Sequence, residues 1–214
     1  MTGFRRKQIL IGCIAVVCAL AVGLLASDLF HALDNTILTL MNRMRGESMV
    51  DSSIAVVYFN NNDIESLGGY PLKRSYYALV VKALKDLEVG AIGIDVGFSQ
   101  TDERYPEYDN LLRTVMDGCI GVVLGGYFRK IDEIAETENT DSTLDESLFY
   151  GIGNDHWLRG SETHFPFLQL RVKANSIGHT NFSDNISMPV FVKYRNGWMP
   201  SFAFWGYVAS CSDS

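Results

Sequence analysis

The sequence predicts an α/β fold with a mixed sheet, parallel βαβ units in the first half, and a transmembrane helix ahead of it. Three observations carry this expectation. Short apolar runs rich in β-branched residues alternate with helically periodic segments between residues 54 and 124. Those runs are continuously apolar, as strands covered on both faces must be. Residues 8–27 carry no charge and are mostly Ile, Leu, Val, Ala or Cys.

The 214 residues are 47% hydrophobic and 20% charged, an ordinary globular balance with enough chain for a core without staples. The net charge of -7 argues against a protein that binds nucleic acid by neutralising phosphates. Arg5, Arg6 and Lys7 are the only charges before residue 28, so a basic tip precedes an apolar rod and an acidic body. Cys13, Cys18, Cys119 and Cys211 show no CxxC spacing, which removes a zinc ribbon or a thioredoxin-like pair. Cys119 opens an apolar run and reads as a small buried residue rather than as half of a disulfide with Cys211.

Taken in order, residues 1–7 are the cytoplasmic tip and residues 8–27 the membrane segment. As a helix this run would be about 30 Å long, the thickness of a bilayer core. The preceding Arg5-Arg6-Lys7 keeps the N-terminus inside and exports the body. A cleaved signal peptide is the alternative, but a cut after Ala26 would put Leu24 where a small residue is wanted, so an uncleaved anchor is favoured. Residues 28–46 form an amphipathic juxtamembrane helix. Its Phe30, Leu33, Ile37, Leu40 and Met44 recur at spacings of 3 and 4, a heptad seam that would suit a homodimer. The seam is little more than two heptads long, which favours packing on its own domain instead.

Within the body, residues 47–214, Ile54 to Phe59 reads as a buried strand and residues 74–87 as a helix ended by Gly90. Ala91 to Gly97 is a second strand, residues 107–117 a helix, and Ile120 to Leu124 a third strand. Gly125-Gly126 and Gly68-Gly69 read as turn glycines. The seven acids of residues 132–146 read as a solvated loop, since the spacing of a calcium loop is missing. Ile177 to Phe182 and Pro189 to Tyr194 have strand content, Arg195-Asn196-Gly197 makes a turn, and a helix begins at Met199 with Pro200 in its first turn.

Five stretches occur together in this order: Leu33-Asp34 with Arg43-Met44-Arg45-Gly46; the Ile54 strand leading into Asp63 to Gly68; Pro71-Leu72-Lys73-Arg74; Gly90 to Ser99; and Gly178-His179-Thr180-Asn181-Phe182 followed by Asn196-Gly197-Trp198 and Pro200 to Ala203. In this the chain resembles the CHASE domain of the second type, CHASE2, over about residues 28–210. The resemblance implies an extracytoplasmic sensor domain of bacterial membrane receptors. Such a sensor follows one membrane helix and precedes two or three more, then a cyclase or kinase. On that pattern the chain is expected to be truncated at its C-terminus, as a fragment or as a naturally shortened relative, with no catalysis of its own. The family usually has Ile-Asp-Asp after the first strand, whereas Phe59-Asn60-Asn61 stands here. Asparagine keeps the hydrogen-bonding shape and loses the charge.

Ligands of open parallel sheets bind beyond the carboxyl ends of the strands. That rule selects Asn60, Asn61 and Asp63 after the first strand and Asp95 near the end of the second. Arg74 begins the intervening helix, where a cation opposes the helix dipole, so it needs a partner: Asp95 or an anionic ligand. An Arg and Asp pair that holds two turns together is the plainer reading. His156, His164 and His179 lack metal-ligand spacing, and no G-x-S-x-G, H-E-x-x-H or phosphate-binding loop is present. The expectation is a membrane-anchored, periplasmic sensor that binds a small molecule or a protein, without metal, cofactor or nucleic acid. An exported α/β enzyme and a ligand-free dimerisation module are the alternatives.

Overall fold

The computed structural model describes residues 12–17, 22, 27–46, 52–119, 121–132, 142–151, 158–182 and 188–211. The chain divides into two units, Met1–Val57 and Tyr58–Ser214. In the first, residues 12–17 are helical and helix α1 runs Ser27–Arg45. It ends as expected, with Arg43 and Arg45 in the last turn and Gly46 at φ 69°, its amide donating to the Arg43 carbonyl. No helix among the described residues is long and apolar enough to cross a membrane, and the expected span, residues 8–27, lies largely outside them.

In the second unit the helices fall close to where the apolar periodicity puts them. They are α2 Asn61–Ser66, α3 Arg74–Asp86 and α4 Pro106–Met116, the last with proline in its first turn. A short α5, Leu168–Arg171, and α6, Phe202–Cys211, follow. The strands are β1 Ile92–Ile94, β2 Val122–Asp132, β3 Arg159–His164, β4 Ser176–His179, β5 Phe191–Tyr194 and β6 Gly197–Pro200.

Strand β2 organises the six-stranded sheet. Its first residues lie between two parallel neighbours, with Leu124 opposite Ile94 of β1 and Ile177 of β4. Its later residues pair antiparallel with β3, so that Phe128 faces Thr163. Strand β3 is parallel to β5, which forms an antiparallel hairpin with β6. The sheet is therefore mixed, and β1–α4–β2 is the expected parallel βαβ unit.

Each half of β2 has its own core. Ala78 and Val81 of α3, Leu112 and Met116 of α4, and Phe98 cover Ile92, Ile94, Val122 and Leu124. Phe128, Leu144, Leu148, Phe165, Ile177, Val192, Tyr194 and Met199 form the second core. Burying each such side chain contributes about 1.5–3 kcal/mol before the entropy of ordering it. Helix α6 packs on β1, β2 and β4. Alternation along β1 sends Ile92 and Ile94 into the first core and Gly93 toward Phe202, so α6 takes the opposite face from α3 and α4. Gly178 permits this approach, because a Cβ there would lie 2.5 Å from the Phe202 amide nitrogen.

Several expectations are corrected. Residues 54–59 form no strand, and Ile54, Val56, Val57 and Tyr58 are exposed. Only Phe59 is partly buried, its ring edge-on to Tyr77 at 5.7 Å. A strand exists only by pairing, and among the described residues β1 pairs with β2 alone. Gly125 and Gly126 are not turn residues but strand positions paired with Gly178 and His179. Met199 and Pro200 lie in β6 rather than in the last helix, which starts at Phe202. Helix α3 stops before Gly90: Leu87 caps it and Glu88 takes the left-handed conformation, φ 55°. The acidic segment falls mostly outside the described residues. Cys119 and Cys211 are free thiols, as expected, and Cys119 is partly buried.

Candidate functional site

Arg74 opens α3 without a side-chain cap before it. Its guanidinium pairs with the Asp109 carboxylate and donates to the Gln100 carbonyl. It also lies over the Phe98 and Phe167 rings, 5.4 Å and 5.1 Å from their centroids. The other Asp109 oxygen accepts the Asp102 amide at 2.8 Å, and Asp102 in turn accepts the amides of Arg104 and Tyr105. The pair is 13% and 11% exposed, so neither charge is well hydrated. The expected partner, Asp95 or an anion, is thus corrected to Asp109. That acid sits in the first turn of α4, where the helix dipole welcomes it, and in the sequence it looks like ordinary capping chemistry. The arginine locks the segment after β1 between α3 and α4.

Asn60 and Asp63 satisfy each other's backbone. The Asn60 side chain accepts the Asp63 amide at 3.0 Å, and the Asp63 carboxylate accepts the Asn60 amide at 2.9 Å. This is a capping box on α2, and either an asparagine or an aspartate at position 60 serves it. Asn61 is exposed in the first turn. The three residues therefore start a helix, and no hydrogen bond or ion pair joins them to Arg74 or Asp95 among the described residues.

Asp95 directly follows β1 and is exposed. A Cβ on Gly125 would lie 2.9 Å from Asp95 Oδ1 and 3.1 Å from Thr180 Cγ2. The carboxyl ends of β1 and β4 thus converge on either side of β2: Asp95 follows β1, Gly125 lies within β2, and Thr180 follows β4. Thr180 is anchored, its amide and hydroxyl both donating to the Gly126 carbonyl. Protein atoms around the Asp95 carboxyl withhold water and raise its pKa above the usual carboxylate value. No hydrogen bond or ion pair engages that carboxylate among the described residues. A separate open groove of about 680 Å³ lies along Gln100, Thr101, Asp102, Glu103 and Phe167, on the segment that Arg74 fastens.

Two residues of the Gly178 to Phe182 stretch play roles the sequence did not disclose. Asn181 accepts the Phe128 amide and donates to the Phe128 carbonyl, both at 2.7 Å, which continues the β4–β2 ladder with a side chain. His179 is wholly buried beside the Phe128 ring and bridges to Ser201 just before α6. Burial lowers its pKa to about 4, with the Pro189 backbone acting weakly in the other direction. His164 instead stacks on Tyr127 at 4.9 Å, and His156 lies outside the described residues. No group of three or more His, Cys, Asp or Glu among the described residues has the arrangement to hold a metal ion.

Comparison with protein families matches residues 14–209 to the CHASE2 domain. Comparisons with curated proteins and with solved structures found no match. The match spans most of the chain, which therefore belongs to the CHASE2 domain family, a family of extracellular sensory domains.

Proposed function

We propose that this CHASE2 domain is the extracytoplasmic input of a bacterial transmembrane receptor whose output is a cyclase or kinase. Residues 8–27 anchor it in the cytoplasmic membrane, with the Arg5-Arg6-Lys7 tip inside and the body outside. Its ligand binds at Asp95, beyond the carboxyl ends of β1 and β4. The observation that carries this reading is the convergence of Asp95, Gly125 and Thr180, where no hydrogen bond or ion pair engages the Asp95 carboxylate among the described residues. That chemistry favours a ligand bearing an amine or another hydrogen-bond donor. Of the five residues chosen from the sequence, Asn60 and Asp63 cap α2 and Arg74 pairs with Asp109. A signal then requires the ligand to prefer one of two arrangements of the anchoring helix.

The test is a thermal-shift screen of the full chain in neutral detergent against amino acids, primary amines and polyamines. A hit should raise Tm for the wild type and leave Asp95→Asn unmoved, while the melting of Asp95→Asn without ligand stays near wild type. Hits that shift both proteins equally would remove Asp95 from the site.

A further inference from the structure

We propose that the Asp95 site continues along β2 onto Tyr127 and takes an aromatic amine, its ammonium on the carboxylate and its ring on the tyrosine. The ammonium contact rests on the reading of Asp95 given above. The aromatic contact and the ligand class come from the strand itself. Alternation along β2 fixes which side chains share a face. A Cβ on Gly126 would run into the Phe165 ring, and Phe128 meets that ring edge-on at 5.2 Å, so residues 126 and 128 point into the second core. Gly125 and Tyr127 therefore stand on the opposite face, the one on which Asp95 Oδ1 and the Thr180 methyl lie against Gly125. About 6.6 Å of strand separates the two residues.

On that face His164 of β3 covers one side of the Tyr127 ring, the two rings 13° from parallel with centroids 4.9 Å apart. On the other flank, the pairing of Gly125 with Gly178 and of Gly126 with His179 puts Thr180 beside Tyr127. Thr180 gives its amide and hydroxyl to the Gly126 carbonyl, which leaves its methyl on this face. One methyl is too small to cover an aromatic ring, and Tyr127 stays 44% exposed. A carboxylate, a methyl and a ring thus stand in a row. No hydrogen bond or ion pair engages the Asp95 carboxylate among the described residues, so it suits a cationic N–H donor. A lone carboxylate is too small a ligand set for a metal ion. The methyl and the ring suit a flat apolar body, which stacks on tyrosine at low entropic cost. Arg129, which follows Tyr127 on the same face, is engaged by Glu162 at 3.7 Å. A carboxylate beside the ligand's ammonium would meet the Asp95 charge with no base to pair it, which selects an amine over the parent amino acid.

The test is isothermal titration of the full chain in neutral detergent with tryptamine, propylamine and tryptophan. Tryptamine should bind about tenfold more tightly than either of the others, since propylamine lacks the ring and tryptophan adds the carboxylate. Tyr127→Leu should remove the difference between tryptamine and propylamine, and Asp95→Asn should abolish the binding of both. Equal affinity of tryptamine and propylamine for the wild type, equal affinity of tryptamine and tryptophan, a tryptamine preference that survives Tyr127→Leu, or no tryptamine binding would each overturn the aromatic amine site. Loss of propylamine binding in Asp95→Asn would in those cases still uphold Asp95 as a contact. Tryptamine binding that survives Asp95→Asn would instead overturn the reading of Asp95, and this site with it. The comparison of the three compounds on the wild type decides even where Tyr127→Leu fails to fold.

Discussion

Acid should loosen this domain through His179, by an amount that follows from its burial. The ring is wholly enclosed on β4, where the Phe128 ring, Ser201 and the Pro189 backbone surround it and none of these carries a charge. The folded state therefore holds the neutral imidazole, with a pKa of about 4 against the ordinary histidine value of 6.5. The unfolded chain binds the proton more tightly, so stability is complete above pH 6.5 and is lost as the pH falls toward 4. The gap corresponds to about 3 kcal/mol in all, of which about 2 kcal/mol is gone by pH 5. The assay is urea unfolding of the full chain in neutral detergent at pH 7.5 and pH 5, for the wild type and for His179→Leu. Leucine fills an apolar site and does not titrate. Changes due to other groups cancel in the comparison, so the wild type should lose about 2 kcal/mol more than the variant between the two pH values. Equal losses would refute the reasoning and mean that the ring reaches water or a hidden acceptor.

Other expectations follow from the same contacts. Arg74→Ala strands the Asp109 carboxylate in a site that is barely exposed and should cost about 3 kcal/mol. In urea unfolding, Arg74→Ala with Asp109→Ala should cost clearly less than the two single changes added together, and additivity would mean that the pair does not interact. Gly178→Ala drives a methyl against the α6 backbone and should cost about 1–3 kcal/mol, whereas Gly97→Ala meets nothing within 4 Å and should melt near wild type. Asn60→Ala removes the cap of α2 for about 1 kcal/mol, and Asn60→Asp should restore it, which thermal denaturation of the two variants will compare.

Legibility in the sequence tracked how far each signal is local. Helices α3 and α4 announce themselves by apolar spacing that the first core then uses at Ala78, Val81, Leu112 and Met116. Strands β3 and β6 did not. Arg159–His164 is polar because one side of it is only partly covered, and Gly197–Pro200 contains the residues that usually make turns. The opposite error came at residues 54–59, where strand-like composition found no pairing partner. Gly125-Gly126 misled because glycine marks turns and also marks close approach, and here the Phe165 and Asp95 side chains occupy the space that Cβ atoms would take.

The position of Asp95 just after β1 was legible, since the carboxyl end of a parallel strand can be read from an apolar run and its first polar residue. The need of Arg74 for an acid was legible too. Which acid met it was not, because Asp109 is 35 residues away and the pairing is tertiary. The burial of His179 was equally hidden, for a histidine between glycine and threonine carries no signature of a core position until the second core closes around Phe128.

The most direct test of the proposed role asks where the body lies. Alkaline phosphatase, active only outside the cytoplasm, and green fluorescent protein, bright only inside when exported by the general route, would each be fused after Ser214. We expect an active phosphatase and a dark fluorescent protein in the membrane fraction. A bright fluorescent fusion with an inactive phosphatase would put the body in the cytoplasm and contradict an extracytoplasmic sensor.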